Sequence, residues 1–372
     1  MHTLIMEATT SPLALLLAFD PAVIGQVAIF LVILAALVVF HEFGHFVFAK
    51  RFGVTVEEFA VGFGPRLASI TRGGTVYSIN ALPLGGFCKM LGEDTADDGS
   101  ANPGNFQHKP LWQRVVIIVA GPVFNILLAA IVFAFIGTVI GVPKGSTNVV
   151  GQLLAGYPAA KAGVEPGDAI VAFNGAPVKS GDDLIEAIHR EIHKPVTLDI
   201  RRDGVIKHFS LVTASKEQNG KTVGLLGFNP VPAISRTTVL DGMSWGFTAV
   251  AMAAVAQVVG IVGAVSNHDA SGLTGTVGVA RVVIQAEKMG LFYVLYLAGE
   301  LSVVLALFNL LPIPALDGGR LAFLAVEGVR GKPVDPEKEG LVHLTGFALI
   351  MVLFVFITYH DIMQWISGKG GM

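Results

Sequence analysis

Cysteine occurs once in 372 residues, at Cys88, so the chain builds no internal disulfide framework, and any metal site must rest mainly on histidine and carboxylate ligands. Charge is also scarce. Charged residues make up 14% against 53% hydrophobic, with a mean hydropathy of +0.67, which excludes global disorder and an ordinary soluble domain. The 25 Lys+Arg against 28 Asp+Glu give a net charge of -3 and remove the basic footprint of a nucleic-acid binder. The first 20 residues hold no Lys or Arg, so the basic segment of a cleavable signal peptide is missing and the first apolar run is expected to stay as an anchor.

What the sequence has in quantity is long apolar runs. Ala22 to Phe40, running on toward Ala49, then Val115 to Gly141, Leu291 to Leu311 and Leu341 to Ile362 are each expected to cross a hydrocarbon core, which takes roughly 20 helical residues. Lys50, Arg51, Arg66, Arg72, Lys89, Lys109 and Arg114 follow the first run, and Arg320, Arg330, Lys332 and Lys338 precede the last. By the positive-inside rule both connections read as cytoplasmic, with the two termini and the long 142–289 segment on the other side. A fifth apolar stretch, Trp245 to Val265, is rich in Ala, Gly and Val around Gln257. A full crossing there would move the basic 312–340 loop outside, so it reads as an amphipathic or interfacial helix, with a full or re-entrant crossing as the alternative. The expected fold is a polytopic α-helical membrane protein with about four transmembrane helices and a membrane-associated β hairpin or sheet after the first.

The outer segment carries a compact insert over 144–230. Gly156-Tyr157-Pro158 and Pro166-Gly167-Asp168 punctuate short apolar runs, Asp182 to Ile192 has helical spacing with an Asp cap, and Val196 to Ile200 and His208 to Val212 alternate as strands do. This pattern resembles one PDZ domain of the bacterial protease type. The remaining divisions follow: a tail over 1–21, a first membrane half over 22–141 with a cytoplasmic β region at 50–114, an interfacial linker over 231–288, a second membrane half over 289–366, and a tail over 367–372.

His41-Glu42-Phe43-Gly44-His45 ends the first apolar run. On a helix, positions i and i+4 share a face, so both imidazoles can reach one Zn²⁺ while Glu42 addresses the attacking water. Two histidines and a glutamate in an apolar helix are costly unless paired or coordinated. His189 and His193 repeat the spacing without the glutamate, on a helix expected to face solvent. A catalytic zinc usually takes a third protein ligand. The stretch Asn309-Leu310-Leu311-Pro312-Ile313-Pro314-Ala315-Leu316-Asp317-Gly318-Gly319 offers one: two prolines stop the helix, and two glycines are expected to turn the backbone tightly so that Asp317 is presented beside His41 and His45. Gly121, Pro122 and Asn125 early in the second apolar run either pack helices or serve the site. Cys88 reads as a packed residue rather than a ligand.

With HEFGH, GFGP (Gly62 to Pro65), LPLGGF (Leu82 to Phe87), AGPVFN (Ala120 to Asn125), GTVGVA (Gly275 to Ala280) and NLLPIPALDGG in this order, the chain from about Ile29 to Ile362 resembles the site-2 proteases, intramembrane zinc metalloproteases, and among them the bacterial regulator-of-sigma-E branch. The resemblance implies that His41, His45 and Asp317 bind zinc, that Glu42 is the general base and that Asn309 contacts substrate or steadies the oxyanion. It implies a multi-pass protein of the bacterial inner membrane with the active site near the cytoplasmic face. Its substrates would be single-span proteins, such as an anti-sigma factor. Two features depart from the family pattern: many members carry two tandem PDZ domains, and Thr276 stands where proline is common. Gly85, Gly86, Phe87, Cys88 and Lys89 are expected to offer a strand edge to unwound substrate. The PDZ-like insert either binds a peptide C-terminus or excludes bulky substrates. The competing reading is a catalytically silent membrane scaffold working through that insert.

Overall fold

The computed structural model describes residues 21–93, 102–154, 156–218, 221–266 and 290–366, with residues 279, 282–283 and 286–287 between the last two stretches. The two tails up to 20 and from 367, and the GTVGVA stretch apart from Val279, lie outside the described residues.

Two compact units are present, one made of 1–136 with 243–372 and the other of Gly137–Gly242. In the first, α1 (Pro21–Arg51) is an uninterrupted apolar helix that carries HEFGH in its last three turns and ends on Lys50 and Arg51. α2 (Leu111–Phe135), which continues through a π turn at Ile136–Ile140, is the spine of this unit and packs against α1 and against the later helices α6 (Leu291–Leu310) and α7 (Asp317–Arg330). Small residues permit the close crossings. A Cβ on Gly44 would lie 2.4 Å from the Ala120 carbonyl oxygen, and one on Gly299 would lie 2.7 Å from the Phe133 ring. The last helix, α8 (Pro336–Ile366), leaves Leu344, Leu349, Val352 and Phe356 exposed, a surface suited to lipid tails rather than water.

Among the described residues, five helices are long and apolar enough to cross a membrane: Ala28–Arg51, Leu111–Ile140, Val239–Gly263, Leu291–Leu310 and Glu337–Tyr359. The third belongs to α5 (Val239–Ser266), where the sequence suggested an interfacial helix. Length and composition alone put it in the same class as the other four.

Between α1 and α2 the chain forms one long, bent hairpin, β1 (Val56–Arg72) and β2 (Thr75–Met90). The outer half of β1 pairs with the start of β2 (Arg72 opposite Thr75, Ile70 opposite Tyr77), while its first residues meet the end of β2 (Val56 opposite Met90, Phe59 opposite Cys88, Ala60 opposite Phe87). The bend is at Gly62, which has φ +83° and where a Cβ would lie 2.5 Å from the Leu82 carbonyl oxygen. Only glycine tolerates both conditions. Asn80 donates to the Gly62 carbonyl and braces the bend.

In the second unit, β3 (Val142–Leu153), β4 (Ala169–Phe173), β6 (Pro195–Arg202), β7 (Val205–Val212) and β10 (Phe228–Ser235) form a sheet in the order β10-β3-β4-β6-β7, with the short β5 (Ala176–Pro177) beside β4. A separate hairpin joins β8 (Ala214–Gln218) to β9 (Lys221–Leu225). One short helix, α3 (Pro158–Lys161), and one amphipathic helix, α4 (Gly181–Arg190), complete the unit. Val196, Leu198 and Ile200 alternate into the core and meet Leu184 and Ile188 of α4. The cap of α4 is Ser180, whose hydroxyl accepts from the Asp183 N–H, and not an aspartate as the sequence suggested.

Candidate metal centre

The end of α1 and the start of α7, 276 positions apart as His41 and Asp317, converge on one point. His41 Nε2 lies 3.0 Å from Asp317 Oδ2, His45 Nε2 lies 3.3 Å from it, and the two Nε2 atoms are 3.2 Å apart. Both histidines are buried, at 6% and 5% exposure.

Each residue is held by its own element. α1 places His41 and His45 one turn apart with their rings edge to face. α2 supplies the wall behind them, through three positions one turn apart on a single face. His45 Nδ1 donates to the Ile117 carbonyl at 2.9 Å. Gly121 leaves room for the imidazoles, since a Cβ there would sit 2.3 Å from His45 Nε2 and 2.8 Å from His41 Cε1. The Asn125 side-chain amide meets His41 Nδ1 at 3.3 Å. Pro122, inside the helix, has no N–H for the Ile118 carbonyl, which loosens the turn next to Ile117.

Asp317 is delivered by a loop that begins where α6 stops at Leu310, before Pro312 and Pro314. The tight turn is made by Ala315 at φ +76°, not by the two glycines assigned to it from the sequence. Gly318 and Gly319 are already in the first turn of α7. They are small because a Cβ on either would strike the Leu311 carbonyl oxygen at 2.0 Å or the Ile313 carbonyl oxygen at 2.5 Å. α7 is tied to the first turn of α2 by a forked ion pair, in which Arg114 Nη1 donates to Glu327 Oε2 at 2.9 Å and Nη2 pairs with Oε1.

A cavity of about 420 Å³ opens on this cluster. Glu42, Asn309, Phe87, Cys88 and Lys89 line it beside His41, His45 and Asp317, whereas Gly85 and Gly86 do not. The Cys88 backbone N–H donates to the Glu42 carboxylate. The segment 86–90 pairs with β1 along one side, in a sheet of two strands. Burial pushes the Cys88 thiol well above its ordinary pKa, which leaves it protonated and a poor metal ligand. Arg320, which the sequence suggested only as a topogenic charge, also lines the cavity and pairs with Glu93.

The donor set fits zinc. Because a carbonyl only accepts, His45 carries its proton on Nδ1 and turns the Nε2 lone pair toward Asp317 and His41. The separations of 3.0–3.3 Å among the three donor atoms match the edge of a tetrahedral site, which Zn–N bonds of 2.0–2.1 Å set at about 3.3 Å. Asp317 Oδ2 is buried and has no full hydrogen-bond partner among the described residues. Two imidazoles and one carboxylate beside a cavity are the donor types and number that a hydrolytic zinc site of the HExxH type uses.

The comparisons agree with this class. The model of peptidase family M50 matches residues 29–353. The zinc metalloprotease RasP of Geobacillus kaustophilus is 31% identical over 90% of this chain and 97% of its own length. The regulator of sigma-W protease RasP of Bacillus subtilis is 32% identical over 92% and 99%. Among solved structures, the PDZ domain of the SdrC-like protein from Listeria monocytogenes is 19% identical, covering 24% of this chain and 90% of that one, with a TM-score of 0.21. The protein is a zinc metalloendopeptidase of the site-2 type, built on membrane-crossing helices. The chain belongs to peptidase family M50.

Proposed function

We propose that His41, His45 and Asp317 hold the zinc of this peptidase, that Glu42 is its general base, and that the cavity beside them cleaves single-span membrane proteins within or next to their helices. The observation that carries the reading is the convergence of three donor atoms from α1 and α7 on one point with Glu42 alongside.

A peptide bond in a lipid-embedded helix is hydrogen-bonded internally and shielded from water, so hydrolysis needs unwinding and a route for water. The side of 86–90 turned away from β1 suits an unwound substrate adding as a strand, held through its backbone without demand on its side chains. Phe87, Cys88 and Lys89 serve this role at the cavity, and Gly85 and Gly86 shape the strand leading to it. Zinc in such a site supplies Lewis acidity toward water and the scissile carbonyl. Glu42 takes the proton of the attacking water and delivers it to the leaving amine, and the Cys88 N–H holds its carboxylate in place until then. The Asn309 amide, on the cavity wall, donates to the oxygen of the scissile carbonyl as charge gathers there.

The active site lies toward the cytoplasmic face of a bacterial inner membrane, with the PDZ-like insert and both termini on the other side, as the basic 50–114 and 312–340 connections require. α2 begins beside His45, and its far end sets Phe133 against Tyr296 near the start of α6. The end of α2 and the start of α6 therefore lie at one level, which suits an α5 that makes no net crossing. This supports four spanning helices with α5 interfacial or re-entrant. The printed name of the Bacillus subtilis relative, a regulator of sigma-W protease, supports an anti-sigma factor as substrate.

The test is Glu42→Gln against wild type, with membrane proteins compared by mass spectrometry and zinc measured on the purified chains. The variant keeps zinc and accumulates single-span substrates. Continued cleavage by Glu42→Gln would contradict the reading.

A further inference from the structure

The sequence left Asn125 with two uses, helix packing or service to the site, and the structure separates them. Asn125 is 0% exposed in the middle of α2, and the Ser302 hydroxyl of α6 donates to its backbone carbonyl at 2.8 Å, a bond that does not involve its side-chain amide. Its side-chain nitrogen lies 3.3 Å from His41 Nδ1, while its side-chain oxygen is buried without a partner. A buried unpartnered oxygen is costly, and the two ends of an amide exchange by a half-turn about one bond. After that half-turn the oxygen faces His41 Nδ1 and accepts a hydrogen bond from its N–H, and the amide nitrogen takes the place that the oxygen had.

The consequence lies on the other side of the ring. A neutral imidazole carries one proton. If Asn125 donated to Nδ1, the proton would sit on Nε2 and point at Asp317 Oδ2, 3.0 Å away, closing the cluster on itself and leaving His41 no lone pair for a metal. If Asn125 accepts, Nε2 presents a lone pair beside that of His45, which the Ile117 carbonyl fixes in the same sense. We infer that Asn125 is a positioning residue that sets the tautomer and ring plane of His41 for zinc, by accepting the Nδ1–H through its side-chain oxygen. Ile117 and Asn125, two turns apart on one face of α2 with Gly121 between them, then form the outer half of the metal site, one acceptor for each histidine. This rests on the ligand set proposed above, and outer acceptors of this kind are worth 10- to 100-fold in metal affinity.

The experiment is zinc retention by the full-length purified protein against graded chelator, for wild type, Asn125→Leu, Asn125→Asp and Ser302→Ala. Leucine matches the volume but accepts nothing, so zinc is lost at about 10- to 100-fold lower chelator strength. Aspartate restores an acceptor and holds zinc at least as firmly as wild type. Ser302→Ala disturbs the same stretch of packing without touching the amide and behaves as wild type. Equal retention by Asn125→Leu and wild type would overturn the inference, as would a loss in Asn125→Asp equal to that in Asn125→Leu. Where Asn125→Leu fails to fold, Asn125→Ser, a shorter hydroxyl that does not reach His41, takes its place beside Asn125→Asp, with the same two outcomes. Failure of the ligand set is distinguishable, because His41→Ala would then bind zinc as wild type does.

Discussion

Two buried polar clusters in this chain are solved in opposite ways. In the 137–242 unit, Asp168 is 2% exposed and meets Arg202 in a fork, Nε to Oδ1 and Nη2 to Oδ2, both at 2.7 Å, while the Glu165 N–H donates to Oδ2 at 2.8 Å. Arg202 spends its other donors on Glu165 and the Gly163 carbonyl. The buried carboxylate and the guanidinium satisfy each other directly, so the cluster closes and holds loop to sheet. In the helical unit, His41, His45 and Asp317 turn three ligand atoms toward one point, all within 4.8 Å of one another. The first cluster is complete with protein groups alone. The second, in the reading proposed above, takes a cation to complete it, and that difference is what marks it as a site.

The comparison is broken most severely at Glu42, which stands beside the open cluster without belonging to it. Glu42→Gln is expected to lower the cleavage rate by about 10²- to 10⁴-fold with zinc unchanged, measured on a reconstituted helical substrate. Gly121→Ala comes next. Its Cβ would fall 2.3 Å from His45 Nε2, so metal analysis should show zinc largely lost while Asp168 and Arg202 remain paired.

The closed cluster predicts the reverse pattern. Asp168→Ala leaves the Arg202 guanidinium without its forked partner and should destabilise the 137–242 unit, read as faster limited proteolysis of the full chain, with zinc content unchanged. The Arg202 hydrogen bonds hold the Asp168 carboxyl below its ordinary pKa. That stabilisation is therefore complete above the ordinary aspartate value of about 4 and is lost as pH falls through the lower folded value. Proteolysis of this unit should rise in acid, and Asp168→Asn should flatten that rise. The smallest effect is expected at Cys88, where Cys88→Ala should leave zinc content at the wild-type level because the buried, protonated thiol is no ligand.

The features legible in the sequence were those encoded by local spacing. HEFGH shows its geometry within one helical turn, LDGG follows two prolines that must end a helix, and the apolar runs announce themselves by length. Features that depend on contacts between distant segments were not legible. Nothing near His45 says that the carbonyl of Ile117, 72 residues on, will fix its tautomer. Gly318 and Gly319 looked like turn residues because glycine has two uses, and here close approach rather than backbone freedom decides. Ser180 caps α4 although Asp182 is an equally good capping type, because only Ser180 leaves the helix with an extended backbone. The bend that brings the end of β2 under α1 depends on Gly62 meeting Leu82 across the hairpin, again a contact between strands.

X-ray absorption at the zinc edge of the purified full-length protein tests the central claim most directly. The account predicts one zinc per chain bound by two imidazoles and oxygen donors, with the imidazole signal halved in His41→Ala and the oxygen shell altered in Asp317→Ala. A sulfur shell from Cys88, a third imidazole, or a spectrum indifferent to Asp317→Ala would contradict it.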